Sequence, residues 1–467
     1  MMLRQGIILF FLLVLSLKVV SQSPEWAPAG MPLHGRQIRC IYNDTTDNVL
    51  YVAGEIMATS TSFSTQFICK YDGSVWNTIG VFNGQVLSVT NYNGDLIVSG
   101  FFTMINGVPI YSIARYNGGA WYSMGNVDEA VFRVKVINSE LYALGGFNTI
   151  DGTPAKRIAK WNGNAWSDVY NFFTDTMDGL LFDVAIYKGN TYVCGNFENS
   201  ALGVNHVAVY KGGSWQNVGG GIQGSFTSLE EFAEYRNELY IAGSIIKPDG
   251  NAGHMIQKWN DTIWSEVGGS VQDLNGGNGF ATIRDLLVYD NELYVAGGFG
   301  YAGSIPATFI AKWDGLQWCG FATHDLFTDG AGAQTGNAIG FYNDTMYLGI
   351  GNDTLNGVHT NRIIKYTAGN YVDTCSIQYT NINILISNNN IFIYPNPATN
   401  TIIVEFESIT SKTPLQIKNV LGQTIQSFTL NGSDNKVLVD INEYPPGVYF
   451  ILLQNEGKTL VKKFIKE

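Results

Sequence analysis

Six phenylalanines and five aspartates fall in four neighbouring stretches of the chain, "YNFFTDTMDGLL", "GGGIQGSFTSLEE", "GGSVQDLNGGNGFATIR" and "CGFATHDLFTDGAGAQTGN". They are Phe172, Phe173, Phe226, Phe280, Phe321 and Phe327, with Asp175, Asp178, Asp273, Asp325 and Asp329. Exposed aromatic rings stack on sugar faces or peptide side chains, and carboxylates accept hydrogen bonds from hydroxyl groups. The set suits a glycan or a surface protein as ligand; the alternative is that the rings plug a channel mouth or pack between neighbouring elements. Catalytic spacing is poorer. No G-x-S-x-G, H-E-x-x-H or P-loop occurs in the sequence, and these are the spacings that place a nucleophile, a zinc or a phosphate. The adjacent acids Asp128-Glu129 and Glu230-Glu231 offer acid–base chemistry, though adjacent carboxylates in loops are commonly just solvated. Non-catalytic binding is the better reading, with a carbohydrate-active enzyme using loop carboxylates as the alternative.

Metal chemistry has little to work with. The histidines His34, His206, His254, His324 and His359 are scattered, and a metal centre would need them to converge. No D-x-[DN]-x-[DN]-G loop is present; Asp325 and Asp329-Gly330 only hint at oxygen ligation of calcium. No cofactor is expected beyond that hint. Five cysteines (Cys40, Cys69, Cys194, Cys319 and Cys375) are an odd and sparse set, so most are expected to be buried free thiols rather than a disulfide framework.

What positions the loops is a repeat. Aligned on the glycine that follows a short apolar run, the chain gives Gly54, Gly100, Gly145, Gly195, Gly243, Gly297 and Gly349. An aromatic follows each (Tyr71, Tyr116, Trp161, Tyr210, Trp259, Trp313, Tyr366), and five residues later comes Trp76, Trp121, Trp166, Trp215, Trp264, Trp318 and, last, Tyr371. A period in the high forties with short, alternating, turn-bounded segments predicts propeller blades of four strands, not helical repeats. Two-residue turns such as Asp72-Gly73, Asn117-Gly118, Asn162-Gly163 and Asp314-Gly315 suit type I′ hairpins. One four-stranded blade leaves its apolar faces wet, and seven around an axis bury them. "WAPAG" at Trp26 to Gly30 matches the fourth-strand pattern yet precedes the first full unit. It is therefore expected to complete the last blade, with the degenerate strand near Tyr371 as the other claimant.

These blades resemble the kelch-like and galactose-oxidase-like propellers, through the Gly145-Gly146 and Gly297-Gly298 strand ends, the strand-3 aromatic and the strand-4 Trp. The resemblance covers about residues 22 to 375 and implies architecture only, since such propellers host unlike functions. The paired histidines and Tyr–Cys link of the copper oxidases among them have no match here. The expected fold class is all-β: a seven-bladed β-propeller of four-stranded blades, followed by a small C-terminal β-sandwich.

The two ends concern export. Arg4 followed by "GIILFFLLVLSL" is too short to span a membrane and fits a secretory signal peptide over residues 1 to 21, cleaved before Gln22. No other stretch is long and apolar enough to cross a bilayer. An Asn-rich linker over 376 to 390 leads to residues 391 to 467, where "TIIVEFE" and "GVYFILLQ" alternate like strands. Here Tyr394-Pro395-Asn396-Pro397, Leu421-Gly422, Pro446-Gly447-Val448-Tyr449 and Lys463-Phe464-Ile465-Lys466 stand in order. The segment resembles the C-terminal sorting domain of type IX secretion (type A). That implies passage over the outer membrane, recognition of residues 391 to 467 by the export and attachment machinery, and a secreted or surface-attached product. Between the two ends, residues 19 to 390 carry 18 basic against 32 acidic side chains, net −14, which argues against a nucleic-acid partner. Six basics recur at one strand-3 position: Lys70, Arg115, Lys160, Lys258, Lys312 and Lys365. Their expected role is to lay alkyl stems along the blade.

Overall fold

The computed structural model describes residues 26–58, 65–171, 178–199, 203–222, 227–245, 254–273, 281–321, 335–355, 358–367, 391–406, 412–419, 423–431, 434–455 and 458–467. The chain divides into two compact units, Met1–Ser376 and Ile377–Glu467. Both are built of strands, and among the described residues no helix is long and apolar enough to cross a membrane.

Unit 1 holds seven main antiparallel sheets among its described residues, six of them four-stranded and the first, starting at His34–Asp44, extended to six strands, numbered here in chain order. Their first strands are His34–Asp44, Val86–Tyr92, Val131–Ile137, Asp178–Tyr187, Ser228–Tyr235, Thr282–Tyr289 and Gly336–Tyr342. Each first strand packs against the next, and that of sheet 7 packs back against that of sheet 1. The sheets thus form a closed circuit with the first strands innermost, the architecture of a β-propeller. The N-terminal strand Trp26–Pro28 is the fourth strand of sheet 7, pairing Trp26 with Tyr366. Tyr371, the other claimant, lies outside the described residues.

Two repeated residue types explain the circuit. The strand-4 tryptophans bury an indole ring and donate its N–H across to the preceding sheet, as a buried indole must. Trp76 donates to Ala29 O (3.1 Å), Trp121 to Ile79 O (2.8 Å), Trp166 to Met124 O (2.6 Å) and Trp215 to Tyr170 O (3.1 Å). Trp264 donates to Val218 O (2.9 Å), Trp318 to Val267 O (3.1 Å) and Trp26 to Phe321 O (3.2 Å). Every sheet is tied to its neighbour, and Trp26 takes its turn like the rest.

The repeated glycine answers to a second device. In every sheet the first strand carries a β-bulge near its start, between Ile38 and Cys40, Val86 and Ser88, Val131 and Arg133, Leu181 and Asp183, Leu229 and Glu231, Ile283 and Asp285, and Gly336 and Ala338. In sheets 1 to 6 the residue before the bulge faces the repeated glycine on strand 2. A Cβ there would meet the first strand's carbonyl inside 3.0 Å; at Gly297 the obstacle is Thr282 O. Backbone approach, not turn geometry, is what excludes a side chain.

Some expectations need correction. The type I′ pattern, positive φ at both central residues, occurs in strand 1–2 turns such as Asn138-Ser139 and Asp290-Asn291, and between strands 3 and 4 at Gly118-Gly119 and Gly212-Gly213, one place after the expected Asn117-Gly118 in the first of these. At Asp72-Gly73, Asn162-Gly163 and Asp314-Gly315 only the glycine is positive, because the Asp or Asn stays one place earlier and its side chain accepts from the following backbone N–H groups. The strand 2–3 connections carry small extra hairpins, Met104–Ile105 with Val108–Pro109 and Tyr301–Ala302 with Ile305–Pro306 among them. They pair with the preceding sheet's exit segment, Ile105 with Phe82 and Ala302 with Val271. The strand-3 basics do more than cover apolar surface: Arg115, Lys160, Lys258 and Lys312 pair with Asp95 (3.1 Å), Glu140 (2.9 Å), Glu238 (2.9 Å) and Glu292 (3.7 Å). Cys40, Cys69 and Cys194 are free thiols, the first two pushed up to about 12 by burial. Cys319 is disulfide-bonded, and its partner lies outside the described residues.

Unit 2 sets a three-stranded sheet (Ile391–Tyr394, Thr401–Phe406, Lys436–Asp440) with a four-stranded one (Thr413–Asn419, Thr424–Leu430, Gly447–Asn455, Lys458–Lys466). Ile402, Val404, Leu415, Ile417, Val439, Ile451 and Phe464 fill the space between them.

Candidate functional site

A β-bulge sets two successive side chains of one strand against a single partner residue and re-aims them. Repeated in seven sheets at the start of the innermost strand, it produces two layers of side chains around the axis. The deeper layer, just after the bulge, is Cys40, Ser88, Arg133, Asp183, Glu231, Asp285 and Ala338.

This deeper layer stitches sheet to sheet. Ser88 Oγ accepts from Val134 N (3.2 Å), Asp183 Oδ2 from Phe232 N (2.8 Å), Glu231 Oε2 from Leu286 N (3.0 Å) and Asp285 Oδ2 from Ile339 N (2.6 Å). In each case the donor is the residue after the equivalent position of the next sheet. Arg133 cannot accept, so the pattern changes there: its guanidinium pairs with Glu231, two sheets away, and lies 3.9 Å from Asp183, which Lys135 Nζ also meets at 2.7 Å.

The electrostatics follow from enclosure. Burial alone would lower the Arg133 pKa, but Glu231 and Asp183 outweigh it and the net shift is upward. Burial, then the Glu231 charge, holds the Asp285 carboxyl well above the usual carboxylate range, and Asp285 also hydrogen-bonds the Glu231 side chain. A carboxyl whose pKa is raised beside a second carboxyl is an arrangement acid–base enzymes use. Here both carboxyls also hold a backbone N–H of the next sheet.

The outer layer, at the bulge itself, has two sectors. Leu87, Phe132 and Phe182 form an apolar one, with Phe132 5.7 Å from Phe101 and 6.0 Å from Phe182 between ring centroids. Glu230, Arg284, Asn337 and Arg39 form a polar one. Glu55, the residue after Gly54, borders it and accepts from Arg36 (3.1 Å) and Gln85 (2.8 Å). Burial raises the Glu230 pKa, and burial followed by the Arg284 charge lowers that of Arg39.

None of this axial set was among the binding residues expected from sequence. The bulge inserts one residue into an alternating strand, so no fixed offset from the repeated glycine advertises it as chemistry. Glu230-Glu231 alone was noted, as solvated loop acids; they lie on a strand, enclosed. Phe172, Phe173, Phe226, Phe280, Phe327, Asp325 and Asp329 all lie outside the described residues. By chain order they precede the first strands of sheets 4 to 7. Phe321 is described and buried, stacked with Tyr294 and edge-on to Tyr366. Among the described residues no three His, Cys, Asp or Glu groups gather as metal ligands; the calcium candidates Asp325 and Asp329 are not among them.

In unit 2 the separated motif blocks come together. Gly447 pairs with Lys466, Val448 with Ile465 and Tyr449 with Phe464, so two blocks lie directly opposite each other. The Tyr449 ring stacks on Phe464 at 5.5 Å and its hydroxyl donates to Pro445 O at 2.8 Å. Asn396 Oδ1 accepts from Ile465 N (2.9 Å) and Asn396 Nδ2 donates to Lys463 O (3.5 Å). The peptide bonds before Pro395 and Pro397 are both cis. Tyr394 and Lys463 are exposed while Phe464 and Lys466 are buried; the Tyr394 hydroxyl donates to Glu405 at 2.7 Å. Leu421 and Gly422 lie outside the described residues.

Residues 392–467 match the family described as secretion system C-terminal sorting domain. Unit 2 thus contains a type IX sorting domain, which marks a secreted, surface-located protein and implies contact with the type IX machinery. No curated protein matches the chain. Among solved structures it is similar to PorZ, an essential bacterial surface component of the type IX secretion system of Porphyromonas gingivalis, at 12% identity and a TM-score of 0.43, over 93% of this chain and 59% of that one. A second is the extracellular domain of a one-component system from B. thetaiotaomicron, at 10% identity and TM-score 0.19, over 92% of this chain and 74% of that one. A third is an exo-β-1,3-galactanase from Phanerochaete chrysosporium, at 10% identity and TM-score 0.29, over 92% of this chain and 95% of that one. This chain therefore spans 59% of the length of the first. At these TM-scores the likenesses assign neither blade type nor activity.

Proposed function

We propose that this protein is an exported, kelch-like seven-bladed propeller acting as a non-catalytic binding or adhesion module for a glycan or a surface protein. A signal peptide over residues 1–21 starts its export. The assembled edge carrying Asn396, Gly447, Tyr449 and Lys463 presents residues 391–467 to the type IX machinery. The observation that carries the binding reading is the use of the axial carboxylates. Asp183, Glu231 and Asp285 each hold a backbone N–H of the neighbouring sheet, so they act as structural ties. The outer layer and the loops preceding sheets 4 to 7 are left to meet a ligand, which is where rigid scaffolds carry function.

The test is a glycan and surface-protein array probed with the chain from Gln22 onward, then with Phe172→Ala, Phe173→Ala and Phe327→Ala variants. Selective retention that these variants weaken, with unchanged unfolding midpoints, is the expected result. Retention indifferent to all three would remove the loop rings from the site.

A second reading has one observation in its favour. Burial and then the Glu231 charge push the Asp285 pKa up, the direction the acid of a glycoside-cleaving pair needs. It requires release of sugar products that Glu231→Gln and Asp285→Asn abolish.

A further inference from the structure

The polar sector of the outer layer contains two half-buried cations that feel the charges of Glu55 and Glu230 but hold no acceptor directly. Arg39 and Arg284 occupy the same place, the bulge residue of the innermost strand, in sheets 1 and 6. Among the described residues neither makes a hydrogen bond or an ion pair, and the Nε of each is buried without a partner. Their charges oppose one another. A buried guanidinium is ordinarily matched to a carboxylate, since an unmatched one is costly. The acids at hand are engaged elsewhere: Glu55 takes Arg36 and Gln85, and Glu230 accepts from Ser228 at 3.4 Å, although its charge still acts on Arg284.

Opposite this pair is the apolar sector, where half-buried Phe132 and Phe182 sit 6.0 Å apart. One residue further along the strands, the Arg133–Glu231 pair spans the axis from sheet 3 to sheet 5. The axial layer thus carries aromatic rings on one side, two guanidinia on the other and the Arg133–Glu231 pair one residue further along. Two guanidinium forks in one such layer suit a planar carboxylate, which each can grip through two N–H groups. A multiply charged phosphate fits less well, because the surrounding segment 19–390 is net −14.

We propose that this axial layer binds an acidic sugar of the uronate type, its carboxylate between Arg39 and Arg284 and its apolar face on Phe132 and Phe182. This rests on the glycan-binding reading above and names the ligand's chemistry. Strain between two like charges is then removed when the ligand arrives, as binding sites at the expense of stability do.

Calorimetric titration of the chain from Gln22 onward with glucuronate and galacturonate, against glucose, galactose and acetate, tests it. The expected result is uronate binding at least tenfold tighter than the matched neutral sugar or acetate. Arg39→Gln and Arg284→Gln should each weaken it about tenfold, and Phe132→Leu should weaken it while preserving the acid preference. In the absence of ligand, Arg39→Gln should leave the unfolding midpoint unchanged or raised. A lowered midpoint would make the arginine a structural tie and overturn the assignment, as would equal binding of neutral sugars or indifference to both arginine variants. If the arrays above find a neutral glycan or a protein and no uronate binds, this inference falls and the binding reading stands. A chain that retains nothing on either test loses both.

Discussion

At the scale of single residues, two positions decide most. Gly297 faces a bulge that brings Thr282 O to where its Cβ would stand. Gly297→Ala therefore forces the two innermost strands of sheet 6 apart, at about 1–3 kcal/mol for overpacking; denaturant unfolding would show it as a lowered midpoint, and an unchanged one would deny the close approach. Asp285 sets a pH dependence whose sign is fixed. Its native pKa is raised, chiefly by burial and then by Glu231, whereas the unfolded chain releases that proton near an ordinary value of about 3.9. The native state then binds more protons, so stability present at low pH is lost as pH rises toward the native pKa. Asp285→Asn keeps an oxygen for Ile339 N and cannot ionise. It should flatten the fall of the midpoint as pH rises above about 4; a steeper profile than the parent's would mean that Asp285 is ionised in the fold.

At the scale of elements, closure depends on a strand of three residues. Trp26–Pro28 supplies the fourth strand of sheet 7, and the Trp26 indole is 1% exposed. Trp26→Ala should cost about 3–5 kcal/mol through the cavity alone, whereas Trp26→Phe, which forfeits only the N–H to Phe321 O, should cost about 1–3. Equal and small losses in both would mean that the ring closes elsewhere. The sequence displayed this element openly, because the Trp of "WAPAG" and the small residues after it repeat at a spacing that backbone register imposes. The same holds for the repeated glycine, whose cause is steric and identical in six sheets. The axial layers were not legible for the opposite reason. The bulge positions, occupied by Arg39, Leu87, Phe132, Phe182, Glu230, Arg284 and Asn337, share a geometry but no single residue type, and the bulge that creates them disrupts the alternation that would mark them. The 2–3 hairpins did leave a signal, "INGVP" and "IDGTP", a Gly turn with an edge-strand Pro, which went unused. Of the six aromatics picked from the long loop stretches, five lie outside the described residues and Phe321 is buried.

At the scale of the whole molecule, the second unit carries the sorting domain, and binding is the role proposed for the first. Deleting residues 391–467 should abolish delivery to the cell surface, seen by surface labelling of a host with a type IX system, and leave the first unit's unfolding midpoint in place. Surface delivery of the shortened chain would place the address elsewhere. Unit 1 is a circuit whose ties are repeated at three radii: tryptophan N–H groups in the outer strands, hairpin pairs in the connections and side-chain-to-backbone bonds at the axis. Such redundancy keeps the scaffold rigid while the loops vary, which suits recognition more than chemistry. The most direct test is mass spectrometry of a broad glycan panel incubated with the chain from Gln22 onward, recording retained and altered sugars together. Retention of particular glycans with no new products is the predicted result. Products that disappear in Glu231→Gln and Asp285→Asn would contradict it and make the axial carboxylates catalytic.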